Sequence, residues 1–230
     1  MALIMTAVIF AGFGFEVPAY VIHPKVPRPA IMWVHGITML AWLAIYVTQT
    51  ALVGAKRIAT HRRLGMLGLS LAAVMVPLML VASWVMDRFD LIYYPGPSRD
   101  ADISFLALQS WDALSFGALV AVAASMRKQP EFHRRLMFLA TCTLTDAGFG
   151  RLPMPWGPVG THLDQVWVYA LVDILIAIVM LRDWRLSGRI HRVIWWSLPA
   201  ILVGQASVTY LMGVHPRWWV ATASTLLGLA

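Results

Sequence analysis

The sequence predicts an all-α fold: a polytopic membrane helical bundle of seven transmembrane helices, with the N-terminus cytoplasmic and the C-terminus outside. Three observations predict it. The 230 residues are 60% hydrophobic, with a mean hydropathy of +0.71, well above the roughly 45–50% apolar content of soluble domains. Apolar stretches recur at about 20 residues, the length that crosses a bilayer core of ~30 Å. Three short segments between them, 54–63, 127–135 and 182–192, hold twelve of the eighteen Lys and Arg but only two acids, Glu131 and Asp183. Basic loops alternating with apolar spans are the positive-inside pattern.

The elements follow in order. The first helix covers about 1–22, its apolar part shortened by Glu16 and Pro18; it lacks a basic start and a cleavage site, so it reads as a retained span rather than a signal peptide. The second covers 30–53. The third covers 64–86, with Pro77 as a kink position. The fourth covers 103–126, the short fifth 134–150, the sixth 163–181 and the seventh 192–213. The tail 214–230 carries Trp218 and Trp219 and reads as an interfacial anchor. These elements use the whole chain as one transmembrane domain.

The basic loops follow helices two, four and six, so all three face the cytoplasm. The loop 87–103 carries four aspartates against Arg88 and Arg99, which suits the outer side. Lys25 and Arg28 also fall there, as a small violation. The net charge of +7 is explained by loops touching anionic lipid, so nucleic acid is not an expected partner. The single Cys142 excludes a disulfide within one chain.

Two patterns carry candidate chemistry. The first recurs at the basic loops. His61-Arg62-Arg63, His133-Arg134-Arg135 and His191-Arg192 each open an outgoing helix. Arginine there opposes the helix dipole unless an anion bridges it to the free N–H groups. Arg62, Arg63, Arg134, Arg135 and Arg192 are therefore candidates for a lipid headgroup or another anion. His61 and His133 are candidate cofactor ligands.

The second pattern is a set of polar stripes on otherwise apolar helices. His35, Trp42 and Gln49 recur every seven residues on helix two. Gln109 and Asp112 share a face of helix four. Helix five carries Asp146, and helix six carries His162, Gln165, Tyr169 and Asp173. At a rise of ~1.5 Å per residue, His35 and the three aspartates lie roughly 6 to 15 Å below the outer helix ends. An unsatisfied intramembrane aspartate costs at least ~2.5–3.5 kcal/mol. Gln49, Gln109, Asp112, Asp146, Tyr169 and Asp173 are thus candidates for a cavity or proton relay, with Arg151 and Arg88 the nearest cations. His35 and His162 form a second candidate ligand pair. The spacing of the histidines supports no dedicated metal site.

The run WVHGITMLAWLAIYVTQTALVGAKRIATHRRLGMLG, with His35, Trp42, Gln49 and then His61 through Gly65, resembles a group of uncharacterised bacterial multi-spanning membrane proteins. That resemblance implies a bacterial inner-membrane location and no particular activity. The layout is also distantly similar to b-type membrane cytochromes, which implies haem b held between helices by paired histidines. Three functions stay open: a haem or other cofactor-binding redox protein, a proton-coupled small-molecule transporter, and a non-catalytic subunit of a larger membrane complex or homo-oligomer.

Overall fold

A computed structural model describes residues 1–96, 98–153 and 162–229 (side chains of Ala19 and 162–164 excepted). Among the described residues the chain is helical and has no strand. In order it forms α1 (Ala2–Val17), a wide π turn (Pro18–Ile22), α2 (Ala30–Gly54), α3 (Ile58–Tyr93), α4 (Arg99–Ser104) and α5 (Leu106–Ser125). Then come α6 (Pro130–Thr143), α7 (Asp146–Phe149), α8 (His162–Ser187), α9 (Arg192–Val214) and α10 (Arg217–Leu226). Five helical stretches are long and apolar enough to cross a membrane: 30–54, 58–93, 99–125, 165–187 and 192–214. The 16-residue α1 is apolar but shorter.

α3 differs from its expected bounds at both ends. It starts at Ile58 rather than 64 and ends at Tyr93 rather than 86. At ~1.5 Å per residue its 36 residues reach about 54 Å, far more than a hydrocarbon core needs. The His61-Arg62-Arg63 motif therefore lies inside the helix, and Asp87 lies on its last turns rather than in a loop. Pro77 sits within an unbroken helix. The expected fifth helix is divided into α6 and α7 by Leu144 and Thr145. Its sequence explains the break. Thr141, Thr143 and Thr145 turn their hydroxyls back to the carbonyls of Met137, Ala140 and Cys142 at 3.0, 3.0 and 2.6 Å, and such back-bonding loosens a helix.

α5 is the central element, packed against α3, α6 and α9; α2 pairs with α3, and α8 with α9. α1 crosses α7 at Gly12 and Gly148. A Cβ on either glycine would fall into the backbone of the other helix, so only this pairing lets the two approach so closely. The core joins Trp42 of α2 to Phe116 of α5, edge to face at 4.9 Å, and continues through Met75, Leu136, Leu139, Val172 and Ile194. α6 is short, yet Leu136, Leu139, Ala140, Thr141 and Cys142 are wholly buried.

The three basic segments meet at one end of the bundle. His61 and His133 rings lie 6.5 Å apart, and Phe132 packs on His191 at 4.6 Å. The opposite end also satisfies its stray charges. Arg28, the small violation of the charge pattern, pairs with Asp90 beneath the rings of Tyr20 and Tyr94, 4.4 and 4.3 Å away. Arg88 donates to the carbonyl of Leu227 and so ties the C-terminal tail to α3.

Candidate functional site

The polar stripes of α5, α7 and α8 converge. Asp112 comes from the middle of α5, and Asp146 is the first residue of α7, placed there by the threonine-rich break. The two buried carboxyls face each other closely enough to interact strongly. Oδ1 of Asp146 also accepts the N–H of Ala147 at 2.6 Å. Two carboxyls can share a hydrogen bond only if at least one carries a proton, and two bare carboxylates this close would repel strongly away from water.

Tyr169 of α8 is close enough to interact electrostatically with Asp112, Asp146 and Asp173 together, and Gln165, one turn earlier, lies beside it. Gln165 and Tyr169 are each only 6% exposed and Asp146 only 3%. Asp173, one turn beyond Tyr169, accepts a hydrogen bond from Gln205 of α9 at 3.2 Å. Gln165 meets the Tyr169 hydroxyl, and among the described residues no N–H or O–H other than that of the opposing carboxyl reaches Oδ1 of Asp112 or Oδ2 of Asp146.

The other candidates separate into groups. Gln109 stands one turn before Asp112, but its side chain meets Asp87 of α3. Gln49 does not join the aspartates. It reaches the basic end, where its Oε1 accepts from Nδ1 of His61 at 2.7 Å and its Nε2 donates to the His61 carbonyl at 3.2 Å. The seven-residue spacing put Gln49 on the right face but two turns too deep. His35 is partly buried, with Nδ1 unpartnered, and Arg151 is its charged neighbour. His162 opens α8, and its side chain lies outside the described residues. Arg88 is spent on the tail. Arg151 pairs with Glu16 at 2.8 Å, donates to the Ala147 carbonyl at 2.7 Å, and remains near Asp146.

At the basic end, His133 donates from Nδ1 to the Ala123 carbonyl at 2.8 Å. His61 and His133 thus both use Nδ1 as a donor to an oxygen, which leaves Nε2 in each as the free lone pair. Arg62, Arg63, Arg134 and Arg192 are exposed, and Arg134 pairs with Glu131 at 2.6 Å. Arg135 departs from the expectation of an external anion. It turns inward and grips Asp183 of α8 with two bonds, Nε to Oδ2 at 2.6 Å and Nη2 to Oδ1 at 2.8 Å. Glu131 adds a third acid contact at 2.5 Å. Both members of the Arg135–Asp183 pair keep only 8% of their side-chain surface exposed. The anion that the motif called for is supplied by the chain itself.

Glu131 is held below the usual carboxylate range, first by its hydrogen bond from Arg135. His191 is held below the usual imidazole range, first by burial and then by Arg135. Asp183 and Asp87 were the residues that sequence reasoning passed over. Asp183 had a visible signal, as one of only two acids among twelve basic residues. Asp87 has none, because the apolar run ends at 86 and the residue reads as part of an acidic loop.

Among the described residues no group of three or more His, Cys, Asp or Glu is placed to hold a metal ion. Compared with protein-family models, curated proteins and solved structures, the chain matches none.

Proposed function

We propose that this protein is a proton-coupled carrier of small molecules in a membrane, with Asp112 and Asp146 as the proton-holding pair. The observation that carries the reading is the approach of these two buried carboxyls, with Tyr169 and Asp173 close by. A carboxyl pair that only joined helices would be stabilised by full hydrogen bonding. Here the two carboxyls face each other, and Tyr169 stands near both of them and near Asp173. Such a constellation can lose its proton to one partner and regain it from another. We take the membrane topology to be seven segments with the basic end cytoplasmic, because twelve cations gather there; α1 and the α6–α7 pair would supply the two shorter segments.

Infrared difference spectroscopy on the protein in nanodiscs tests the reading. The expected result is a protonated-carboxyl band at neutral pH that shifts in D2O, titrates while the fold is intact, and disappears in Asp112→Asn. A band that neither exchanges nor titrates in the intact fold would mean a buried structural bond and would remove the carrier reading.

A second reading, a haem-binding redox protein, is favoured by the His61–His133 pair. Both rings are anchored through Nδ1, the arrangement that leaves Nε2 to bind iron. An absorption spectrum of the purified protein before and after dithionite decides it. A Soret band that moves on reduction and is lost in His133→Ala supports haem, and a colourless protein removes it.

A further inference from the structure

We infer that the groove between α8 and α9 binds an organic cation with a bulky apolar body, its charge on Asp173. This rests on the carrier reading and names the substrate class of that site. The groove has a volume of about 660 Å³, within the range of small-molecule sites. Its polar groups are Asp173, Gln205, Thr209 and the hydroxyls of Tyr169 and Tyr210, and the rest of the wall is aliphatic. Among the described residues Asp173 is the single charged side chain in that lining.

Each feature narrows the ligand. Gln205 engages only Oδ1 of Asp173, so the other oxygen is available to a guest. Tyr169 is 6% exposed and lines the groove. Two tyrosine rings beside a lone carboxylate favour a cation, through charge pairing and the negative ring faces. An anion would meet the repulsion of Asp173, with no cation in the described lining to offset it. A small metal ion would find one carboxylate and too much apolar wall. The groove also opens sideways. Leu202 and Tyr210 on its rim are 43% and 51% exposed, on a bundle face that lipid would cover. A lipophilic cation partitions into that layer and needs no aqueous path. Tyr169 then stands between the guest's counter-charge and the Asp112–Asp146 proton store, which gives cation binding a route to influence proton release.

The test uses the full chain in nanodiscs of phosphatidylcholine alone, so that no anionic lipid competes. The probes are radiolabelled tetraphenylphosphonium and its anionic isostere tetraphenylborate, which match in size and differ in sign. Saturable binding of the phosphonium but not the borate is expected. Asp173→Asn keeps the Gln205 bond and should weaken binding by roughly tenfold or more. Asp173→Glu should restore most of it, which separates charge from folding. Ala206→Trp fills the groove from the α9 wall and should abolish binding without touching Asp173. Equal binding of both probes, no saturable binding, or full affinity in Asp173→Asn would overturn the inference; so would a groove closed by a second copy of the chain, seen as a stable dimer that excludes the probe. Cation binding with a non-exchanging Asp112–Asp146 pair would retain the groove and remove the carrier. An exchanging pair without cation binding would retain the carrier and remove this substrate class.

Discussion

Replacing Asp183 by alanine strips the buried Arg135 of its two-bond partner. The pair is formed at 2.6 and 2.8 Å with 8% side-chain exposure on each side. Charges about 4 Å apart attract by ~4 kcal/mol at an effective dielectric near 20, and removing one member of a buried pair typically costs about 3–5 kcal/mol. Glu131 still touches Arg135 at 2.5 Å, but its side chain is 56% exposed, so water screens it and it recovers no more than ~1 kcal/mol. The expected loss for Asp183→Ala is therefore about 3 kcal/mol. Glu131→Gln should cost less than ~1 kcal/mol, because its contact is already solvated. The double variant Arg135→Met, Asp183→Leu should regain most of the loss, since no charge is then left buried. Equilibrium unfolding in dodecyl maltoside with increasing dodecyl sulfate, followed by tryptophan fluorescence, measures all three. Equal losses for Asp183→Ala and Glu131→Gln, or a double variant as weak as the single one, would refute the account.

Two further outcomes concern stability, the first read in the same assay. A Cβ on Gly204 falls inside the ring of Trp111, whereas a Cβ on Gly14 meets open space. Gly204→Ala should therefore destabilise by about 1–3 kcal/mol through overpacking, and Gly14→Ala should be neutral or stabilising by up to ~1 kcal/mol from helix propensity. Acid should weaken the basic end in two steps. Both His191 and Glu131 have depressed values in the fold, so the unfolded chain takes up their protons first. The stabilisation is complete above about pH 6.5; part is lost as pH falls below it through His191, and the rest below about 4.5 through Glu131. Melting temperatures measured against pH should show both steps, with the upper one missing in His191→Asn and the lower one in Glu131→Gln.

Much of this arrangement was written in local spacing. Apolar length and clustered cations placed the long helices, and the four- and three-residue steps of α5 and α8 put Asp112, Tyr169 and Asp173 on inward faces. Asp146 was legible as an inward polar residue, but its meeting with Asp112 was not. That meeting depends on the helix break at 144–145, and the break comes from three threonines competing with the backbone, a small effect that periodicity does not register. Depth was the weakest inference. A seven-residue step moves ~10 Å along a helix, so residues that share a face can serve opposite ends, as His35 and Gln49 do. The reach of α3 beyond any apolar run was also hidden. Its final turns are fixed by contacts with the tail and with the segment around Arg28, and those partners are distant in sequence.

The basic end and the aspartate layer differ in how their charges are balanced. At the basic end the buried guanidinium has two acids, and both Nδ1 atoms of the His61–His133 pair have carbonyl partners. That end has little to gain by moving. In the aspartate layer two buried carboxyls face each other, and a proton or a cationic guest would relieve their repulsion. A ligand shifts a conformational equilibrium only by its differential affinity for two states. α8 joins both regions, since Asp183 clamps its basic end and Gln165, Tyr169 and Asp173 line the aspartate layer. If α8 moves during a transport cycle, it should pivot about the Arg135–Asp183 clamp. The clamp would then be valued for fixing the pivot, and a charge-free Met/Leu replacement that restores stability should still impair the coupling between Asp173 and the Asp112–Asp146 pair.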